Sequence, residues 1–161
     1  MKNRTAALII TALITADQLS KMAIRGLFEV GSGIMVFPGF NIVHLGNTGI
    51  AFSMLQHNNT AMAVVTGLIV TGLVIWFARK RHTLSRLLNA AFLMIIAGAL
   101  GNLIDRILLG AVTDFLDLYA YGYHWPAFNF ADSCISLGGA LLVIATLLEK
   151  DMQTKSKKLE K

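Results

Sequence analysis

The chain has 161 residues, of which 55% are hydrophobic and 14% are charged, and its formal net charge is +5. Soluble domains usually carry about 25% charged residues, so the composition excludes an ordinary soluble fold and indicates one membrane-embedded unit. A basic chain could bind nucleic acid, but here the basic residues flank apolar segments, where they set topology and meet anionic lipid headgroups. We therefore expect membrane lipids as partners and no nucleic acid.

Four apolar segments are each close to the ~20 residues that cross a bilayer as a helix. The spans are predicted at about 5–24, 60–77, 87–107 and 131–148. The predicted fold class is membrane all-α, with four transmembrane helices in a single integral membrane domain over residues 1–149. Residues 150–161 are predicted to form a polar, frayed tail.

Basic residues collect on one side of this four-span arrangement. Eleven of the fourteen Lys and Arg residues lie before the first span, between the second and third, or after the fourth. The two opposite loops, 26–59 and 108–130, contain neither residue type. The positive-inside rule therefore predicts that both termini and the tail are cytoplasmic and that the two loops lie outside.

The first segment has a second interpretation as a secretory signal peptide. Lys2 and Arg4, an apolar run and small residues near Ala16 are all features of such a leader. However, Asp17 and Lys21 are spaced i, i+4 with the acid first, which favours an ion pair on one helix face. That pair predicts a helix that continues past Ala16.

The two outer loops differ in composition. Residues 31–53 mix β-branched and aromatic residues with Gly and Pro turns. This pattern predicts a small β-rich segment after the first helix, on the extracytoplasmic surface of the membrane. The second loop carries Asp117, which we interpret as a solvated loop residue. It also carries aromatic residues that favour the headgroup level, interpreted as interfacial anchors: Tyr119, Tyr121, Tyr123 and Trp125.

Two aspartates that border the last two spans are candidates for chemistry. Asp114 follows the third span, and Asp132 closes the string W-P-A-F-N-F-A-D at the start of the fourth. An ionisable group at or inside a bilayer costs about 2.5–3.5 kcal/mol, which makes it a functional candidate. If Asn129 caps the fourth helix, Asp132 is its third residue, where it would stabilise the helix by about 1 kcal/mol without catalysis. Capping and catalysis are compatible roles.

A second polar group lies on the third helix. Asn102, Asp105 and Arg106 are spaced i, i+3 and i+4 and share one helix face. Asp105 and Arg106 are sequence neighbours that cannot pair well, so each should find a partner on another element. The group is either a polar patch that joins helices or the wall of an active site, and the proximity of Asp114 favours the site.

Other kinds of chemistry fit the sequence less well. Cys134, in the first turn of the fourth helix, and His124 allow a thiol-protease interpretation, although a lone Cys among small residues is usually a packing residue. The His residues show no metal-ligand spacing such as H-E-x-x-H, so we predict no metal. A proton- or ion-coupled carrier is a further alternative, but the inverted repeats that carriers often have are not found.

Five short motifs occur between the two termini. They are D-Q-L-S-K at 17–21, N-T-G at 47–49 with A-F-S at 51–53, G-N at 101–102 with D-R at 105–106, G-x-V-x-D-F at 110–115, and W-P-x-F-N-x-A-D at 125–132. In this order, and with four spans, they resemble lipoprotein signal peptidase (signal peptidase II), the aspartyl protease family of the bacterial inner membrane. Ile50 departs from the small residue expected there, which bears on loop packing.

The resemblance implies an aspartic endopeptidase that needs no metal or organic cofactor. Asp114 and Asp132 would be its catalytic dyad. The residues that would support the site are Asn102, Asp105, Arg106, Asn129, Asn47, Asp17 and Lys21. The substrate would be a diacylglyceryl-modified prolipoprotein, cut just before its lipidated cysteine at the extracytoplasmic face of the inner membrane. One chain is sufficient for this chemistry, so we expect a functional monomer.

Overall fold

A computed structural model describes residues 1–49 and 59–159 of the chain. Within these ranges the helices are α1 (Asn3–Leu27), α2 (Asn59–Lys80), α3 (Arg86–Leu109) and α4 (Phe130–Leu159). The strands are β1 (Gly33–Phe37), β2 (Phe40–Asn47), β3 (Val112–Ala120) and β4 (Tyr123–His124). Each helix is long and apolar enough to cross a membrane, α4 over Phe130–Met152, so the four predicted spans are confirmed.

The helix ends follow local sequence signals. Ser85 caps α3 by accepting a hydrogen bond from the backbone N–H of Leu88 at 3.2 Å, and Gly110 ends the same helix with a left-handed φ of 75°. The C-terminal end of α4 differs from its prediction, because the helix continues to Leu159 and does not fray at residue 150. The stretch after Gly139 has no Gly or Pro to stop a helix, and Asp151 and Lys155 form an i, i+4 ion pair at 2.9 Å.

The helix α3 lies at the centre of the bundle. Half of its most apolar 18-residue window is buried, against 17–22% for the other three helices, because α3 packs against all of them. Small residues let α3 and α4 approach closely: a Cβ added to Gly98 would lie 2.3 Å from the backbone oxygen of Ala131, and one on Gly138 2.9 Å from that of Ala91. Small residues at such interfaces are typical of membrane helix pairs.

The four strands form one antiparallel sheet in the order β1-β2-β3-β4. Pro38 and Gly39 form the tight turn between β1 and β2, and Gly39 has the positive φ of 98° that such a turn requires. The β-rich segment predicted after the first helix is thereby confirmed for β1 and β2. Residues 50–53 of that prediction lie outside the described residues.

The second outer loop differs from its prediction, because it contains β3 and β4. Tyr121 and Gly122, both with positive φ, make the turn between these strands. The interpretation of Asp117 as a solvated residue is wrong: it is 7% exposed and lies in β3. Asn41 of β2 donates a hydrogen bond to it at 2.7 Å, and His124 Nδ1 of β4 lies 2.9 Å from its oxygens. Two neighbouring strands thus supply the partners that a loop would lack.

Candidate active site

The start of α4 is held by a reciprocal pair of hydrogen bonds. The backbone N–H of Asp132 donates to Asn129 Oδ1 at 2.9 Å, and the N–H of Asn129 donates to Asp132 Oδ2 at 3.2 Å. This is a capping box in which Asn129 is the N-cap, and the predicted capping role of Asp132 is confirmed. The Asp132 carboxylate is therefore fixed against the first turn of a helix.

Asn129 also brings Asp114 to the same point. Its Nδ2 donates a hydrogen bond to Asp114 Oδ1 at 2.7 Å, while its backbone holds Asp132. The other Asp114 oxygen accepts a hydrogen bond from Asn47 Nδ2 at 2.9 Å, across the β2–β3 pair. Asp114 is 3% exposed and Asn129 fully buried. Asn129 thus contacts both carboxylates, which we call the dyad: Asp114 through its side-chain amide and Asp132 through its backbone N–H.

Asn102 holds the dyad from α3. Its Nδ2 donates to Asp132 Oδ1 at 2.7 Å, and its Oδ1 accepts from Asn129 Nδ2 at 3.2 Å. The same oxygen accepts a hydrogen bond from Lys21 Nζ at 2.9 Å. Asn102 therefore connects the dyad to a second group of charges, which lies deeper in the bundle.

This second group, the Lys21 cluster, comprises Asp17, Lys21 and Asp105. The Lys21 ammonium lies 2.9 Å from Asp17 and 3.5 Å from Asp105, and all three side chains are at most 2% exposed. Asp17 accepts a hydrogen bond from the backbone N–H of Ala131 at 3.0 Å, and Asp105 accepts one from that of Thr113 at 3.0 Å. Each acid thus anchors the residue that precedes one member of the dyad. The predicted ion pair within α1 is confirmed.

Two residues that contact the Lys21 cluster, Gln18 and Arg25, were not identified as supporting residues from the sequence. Gln18 Nε2 lies within 3.2 Å of Asp17, Asp105 and the Gly101 carbonyl. Arg25 Nη1 donates to Thr113 Oγ1 at 3.0 Å and lies 3.8 Å from Asp105. The i, i+4 spacing of Arg25 from Lys21 was the available signal, because it puts both cations on one face of α1.

Arg106 lies beside the dyad and not inside the Lys21 cluster. Its Nη2 approaches the Gly49 carbonyl at 3.5 Å, and its backbone carbonyl accepts a hydrogen bond from Asn59 Nδ2 at 2.9 Å. The prediction that Asp105 and Arg106 find partners on other elements is therefore confirmed. The side chain of Arg106 faces the same cavity as Asp132.

Cavities reach the dyad from several sides. One of about 440 Å³ lies between α2, α3 and α4 and is bordered by Met62, Asn102, Arg106, Trp125, Asp132 and Ile135. Another of about 440 Å³ lies beyond Trp125 and Phe128 and also reaches Asp132. A third, of about 260 Å³, opens on Asp114 between Asn47 and Pro126. Trp125 therefore lines the approach to the site, beyond its predicted role as an interfacial anchor.

The pKa of the Asp114 carboxyl group is raised, so this group takes up a proton more readily than an ordinary aspartate. Burial raises its pKa from an ordinary 3.8 to about 6, and the nearby Asp132 charge adds to this rise. The hydrogen bonds from Asn47 and Asn129 and the charge of Lys21 act in the opposite direction. Two neighbouring carboxylates in a site of low dielectric cannot both ionise easily, so the dyad as a unit holds a proton to higher pH than an isolated aspartate does.

The thiol alternative has no support in this geometry. Cys134 is 4% exposed and packed in α4, and His124 bonds to Asp117 instead. Within residues 1–49 and 59–159, no three His, Cys, Asp or Glu side chains converge as a metal site would require.

Sequence comparisons relate this chain to one named family over most of its length. The family described as signal peptidase (SPase) II matches residues 9–148. Lipoprotein signal peptidases of Aeromonas hydrophila and Paraburkholderia phymatum are 43% and 41% identical, over 80% and 84% of this chain and 79% and 82% of theirs. That of Syntrophotalea carbinolica is 39% identical over 88% of this chain and 90% of its own.

A solved structure described as a bacterial membrane enzyme superposes with a TM-score of 0.81 at 34% identity, covering 92% of this chain and 90% of that chain. A second, described in the same words, gives a TM-score of 0.79 at 35% identity, over 90% and 94%. The carrier interpretation is therefore wrong. The chain belongs to the signal peptidase II family: it is a multi-pass aspartic protease of the bacterial inner membrane that removes signal peptides from prolipoproteins.

Proposed function

We propose that Asp114 and Asp132 together activate the water that cleaves the prolipoprotein, just before its diacylglyceryl-modified cysteine. The observation that carries this proposal is the shared contact with Asn129, which donates to Asp114 and caps the turn that holds Asp132. Two acids that hydrogen-bond to the same residue, Asp114 to its side chain and Asp132 to its backbone, would be placed to share a single water. The cavities beside them supply access for a peptide.

The chemistry needs one proton on the pair. The ionised carboxylate takes a proton from the water as its oxygen attacks the scissile carbonyl carbon, while the protonated carboxyl donates a hydrogen bond to the carbonyl oxygen. The tetrahedral intermediate then collapses, the C–N bond breaks, and the amine of the cysteine leaves with a proton from the pair. Assistance of this kind contributes about 10²–10⁴ in rate. The pair titrates as a unit, so neither acid is assigned a fixed role.

The surrounding polar residues would act as positioning residues. Asn47, Asn102 and Asn129 donate hydrogen bonds that orient the two carboxylates. The Lys21 cluster anchors the backbone beside each acid. Arg106 borders the cavity at Asp132, where its cation would stabilise negative charge that develops on the substrate.

The lipid part of the substrate explains why this chemistry belongs in a membrane. Each buried CH₂ group of an acyl chain contributes about 0.8 kcal/mol to membrane anchoring, so two chains hold the cysteine at a fixed depth. One chain supplies all the residues of the proposed site, which is consistent with a monomer surrounded by membrane lipids. No metal or organic cofactor takes part in the proposed reaction.

We further propose that the dyad faces the outside and that both termini are cytoplasmic. Lys2 and Arg4 lie at the start of α1, and four more basic residues lie in or beside the α2–α3 connection: Arg79, Lys80, Arg81 and Arg86. The dyad lies near the other ends of α1 and α3. Basic residues remain on the cytoplasmic side. Labelling Tyr121→Cys and His82→Cys with a membrane-impermeant maleimide in spheroplasts tests this orientation: only the Tyr121 position should react.

The catalytic proposal is tested with a gel-shift assay on a diacylglyceryl-modified precursor. Asp114→Asn and Asp132→Asn should each lose at least about 10³-fold in rate, with the protein still inserted and folded. Asp117→Asn, the same substitution three residues along β3, is the matched control and should retain most activity. Normal processing by either dyad variant would overturn the proposal. So would equal loss in all three variants, because it would indicate a general effect of altering this sheet.

A further inference from the structure

The residue that precedes Asp114 is held by two charged side chains from different helices. The backbone N–H of Thr113 donates a hydrogen bond to Asp105 of α3 at 3.0 Å. The Thr113 hydroxyl oxygen accepts a hydrogen bond from Arg25 Nη1 of α1, also at 3.0 Å. Arg25 Nη1 lies 3.8 Å from Asp105 Oδ1. These three residues, which we call the Thr113 clamp, join α1, α3 and β3 directly beside one member of the dyad.

The pairing of β3 with β2 is irregular at Asp114. Ile42 pairs with Leu116 and Leu45 pairs with Asp114, so three steps along β2 correspond to two steps along β3. A bulge of this kind interrupts the ladder and bends the strand. On its other side, Asp114 is only two residues from the first residue of β3. Regular strand pairing therefore fixes Asp114 less well than a residue in the middle of a ladder, and the Thr113 clamp adds a constraint next to it.

Thr113 and Asp114 make their contacts on opposite faces of β3, as successive residues of a strand do. The Thr113 side chain is buried and meets α1, whereas Asp114 meets Asn47 and Asn129. Of the described residues that border the three cavities at the dyad, none is Arg25 or Thr113. Arg25 can therefore influence the position of Asp114 through the strand without altering the space that receives the substrate.

We propose that Arg25 is a positioning residue for Asp114, and that it acts by binding the Thr113 hydroxyl and thereby fixing the start of β3. This inference rests on the proposed catalytic role of Asp114. Arg25 also lies in the last turn of α1, where any cation is favourable at the negative end of the helix dipole. The dipole explanation requires the charge of Arg25 but not the Thr113 hydroxyl, so a change at Thr113 distinguishes the two explanations.

The test compares Thr113→Val with Thr113→Ser in steady-state processing of a diacylglyceryl-modified precursor. The valine variant keeps the β-branched shape and both charged partners but removes the hydroxyl that accepts from Arg25, whereas the serine variant keeps the hydroxyl. Thr113→Val should lose about three- to tenfold in kcat with KM unchanged, because Asp114 is less well placed while the cavities are unaltered. Thr113→Ser should retain most of the wild-type kcat. A normal kcat in Thr113→Val would overturn the proposal, and so would a loss confined to KM.

Changes at Arg25 test whether it acts through Thr113. Arg25→Gln should lower kcat by a factor similar to that of Thr113→Val, and the double variant should lose little more than either single variant, because both remove the same hydrogen bond. Arg79→Gln removes the same charge from the exposed end of α2 and should leave kcat unchanged. Fully additive losses in the double variant would contradict action through Thr113, as would an equal loss in Arg79→Gln.

Hydrogen exchange of the Thr113 amide gives a measurement that does not depend on activity. Exchange should become faster in Arg25→Gln and Thr113→Val but not in Thr113→Ser, and unchanged exchange in the first two would overturn the clamp. Asp114→Asn in the same processing assay separates this inference from the catalytic proposal. Normal processing by Asp114→Asn would overturn both, whereas an inactive Asp114→Asn beside an unimpaired Thr113→Val would overturn only the role of Arg25.

Discussion

The Lys21 cluster and the dyad lie next to each other, and both use carboxylates, yet they are organised in opposite ways. In the Lys21 cluster, a buried ammonium lies between two acids at 2.9 and 3.5 Å. In the dyad, the hydrogen bonds come from neutral amides: the side chains of Asn47 and Asn129 donate to Asp114, and the Asn102 side chain and the Asn129 backbone donate to Asp132.

This difference separates a structural group from a reactive one. In the Lys21 cluster, each carboxylate pairs with the buried ammonium and serves as a fixed acceptor for a backbone N–H group. A buried carboxylate with only neutral donors retains a proton more easily, as the raised pKa of Asp114 shows. Asn102 contacts both groups, so the structural cluster can position the dyad without neutralising it.

The largest expected effect comes from breaking the Lys21 cluster. Lys21→Met leaves Asp17 and Asp105 buried with their main cation removed, and unfolding should become easier by about 3–5 kcal/mol. Thermal unfolding in one detergent measures this, with Lys80→Met, an exposed lysine at the end of α2, as the control. Adding Asp17→Asn to Lys21→Met should recover part of the loss, because one uncompensated charge is then removed. Similar unfolding temperatures for the Lys21 and Lys80 variants would contradict the structural role.

A smaller effect is expected from pushing α3 and α4 apart, because these two helices carry residues of both the Lys21 cluster and the dyad. In Gly138→Ala the new Cβ would lie 2.9 Å from the Ala91 backbone oxygen, whereas at Gly139 nothing lies within 4 Å. Overpacking should lower stability by about 1–3 kcal/mol at Gly138, while Gly139→Ala should be neutral or stabilising by up to about 1 kcal/mol. Thermal unfolding of the two variants gives the comparison. If Gly139→Ala proved the more damaging, the close approach of α3 and α4 would be wrong.

The proton on the dyad gives a third test. The pKa of Asp114 is raised, so its protonated form favours folding: this contribution is complete below pH 3.8 and is lost as pH rises through about 6. Carboxyl ¹³C chemical shifts should follow Asp114 ionising near pH 6. In Asp132→Asn the midpoint should fall, because a negative neighbour is removed, but it should stay above 3.8 because burial remains. A midpoint unchanged by Asp132→Asn would mean that the Asp132 charge does not affect the pKa of Asp114, and would contradict an interacting dyad.

The helices were predictable from the sequence, because each span must satisfy its backbone internally and is apolar over a fixed length. The Asn129 cap was also predictable, since its signal is local. The pairing of β2 with β3 was not predicted, because it joins segments about 70 residues apart, as in the Asn47–Val112 register. Gln18 was missed for a related reason: its partners Gly101 and Asp105 lie on another helix.

Asp117 shows most clearly why β3 and β4 were not predicted. In sequence it is one more acid near a run of aromatics, and only the strands on either side make it a buried residue. Burial alone would raise its pKa, but the hydrogen bonds from His124 and Asn41, with the His124 charge, lower it. The contacts that bind the Asp117 carboxylate are therefore the same ones that join β2, β3 and β4.

The smallest expected effect comes from removing the Asp117–His124 ion pair. A lowered pKa at Asp117 contributes stability that is present above its ordinary value of 3.8 and is lost as pH falls through the lowered value. The His124 side chain is 55% exposed, so solvent screens the pair, and His124→Gln should cost less than about 1 kcal/mol. The free energy of unfolding, measured from pH 3 to pH 7, should be higher for the wild type than for the variant above pH 3.8. The two values should converge in acid. A difference that grew in acid would mean that His124 acts through something other than the Asp117 carboxylate.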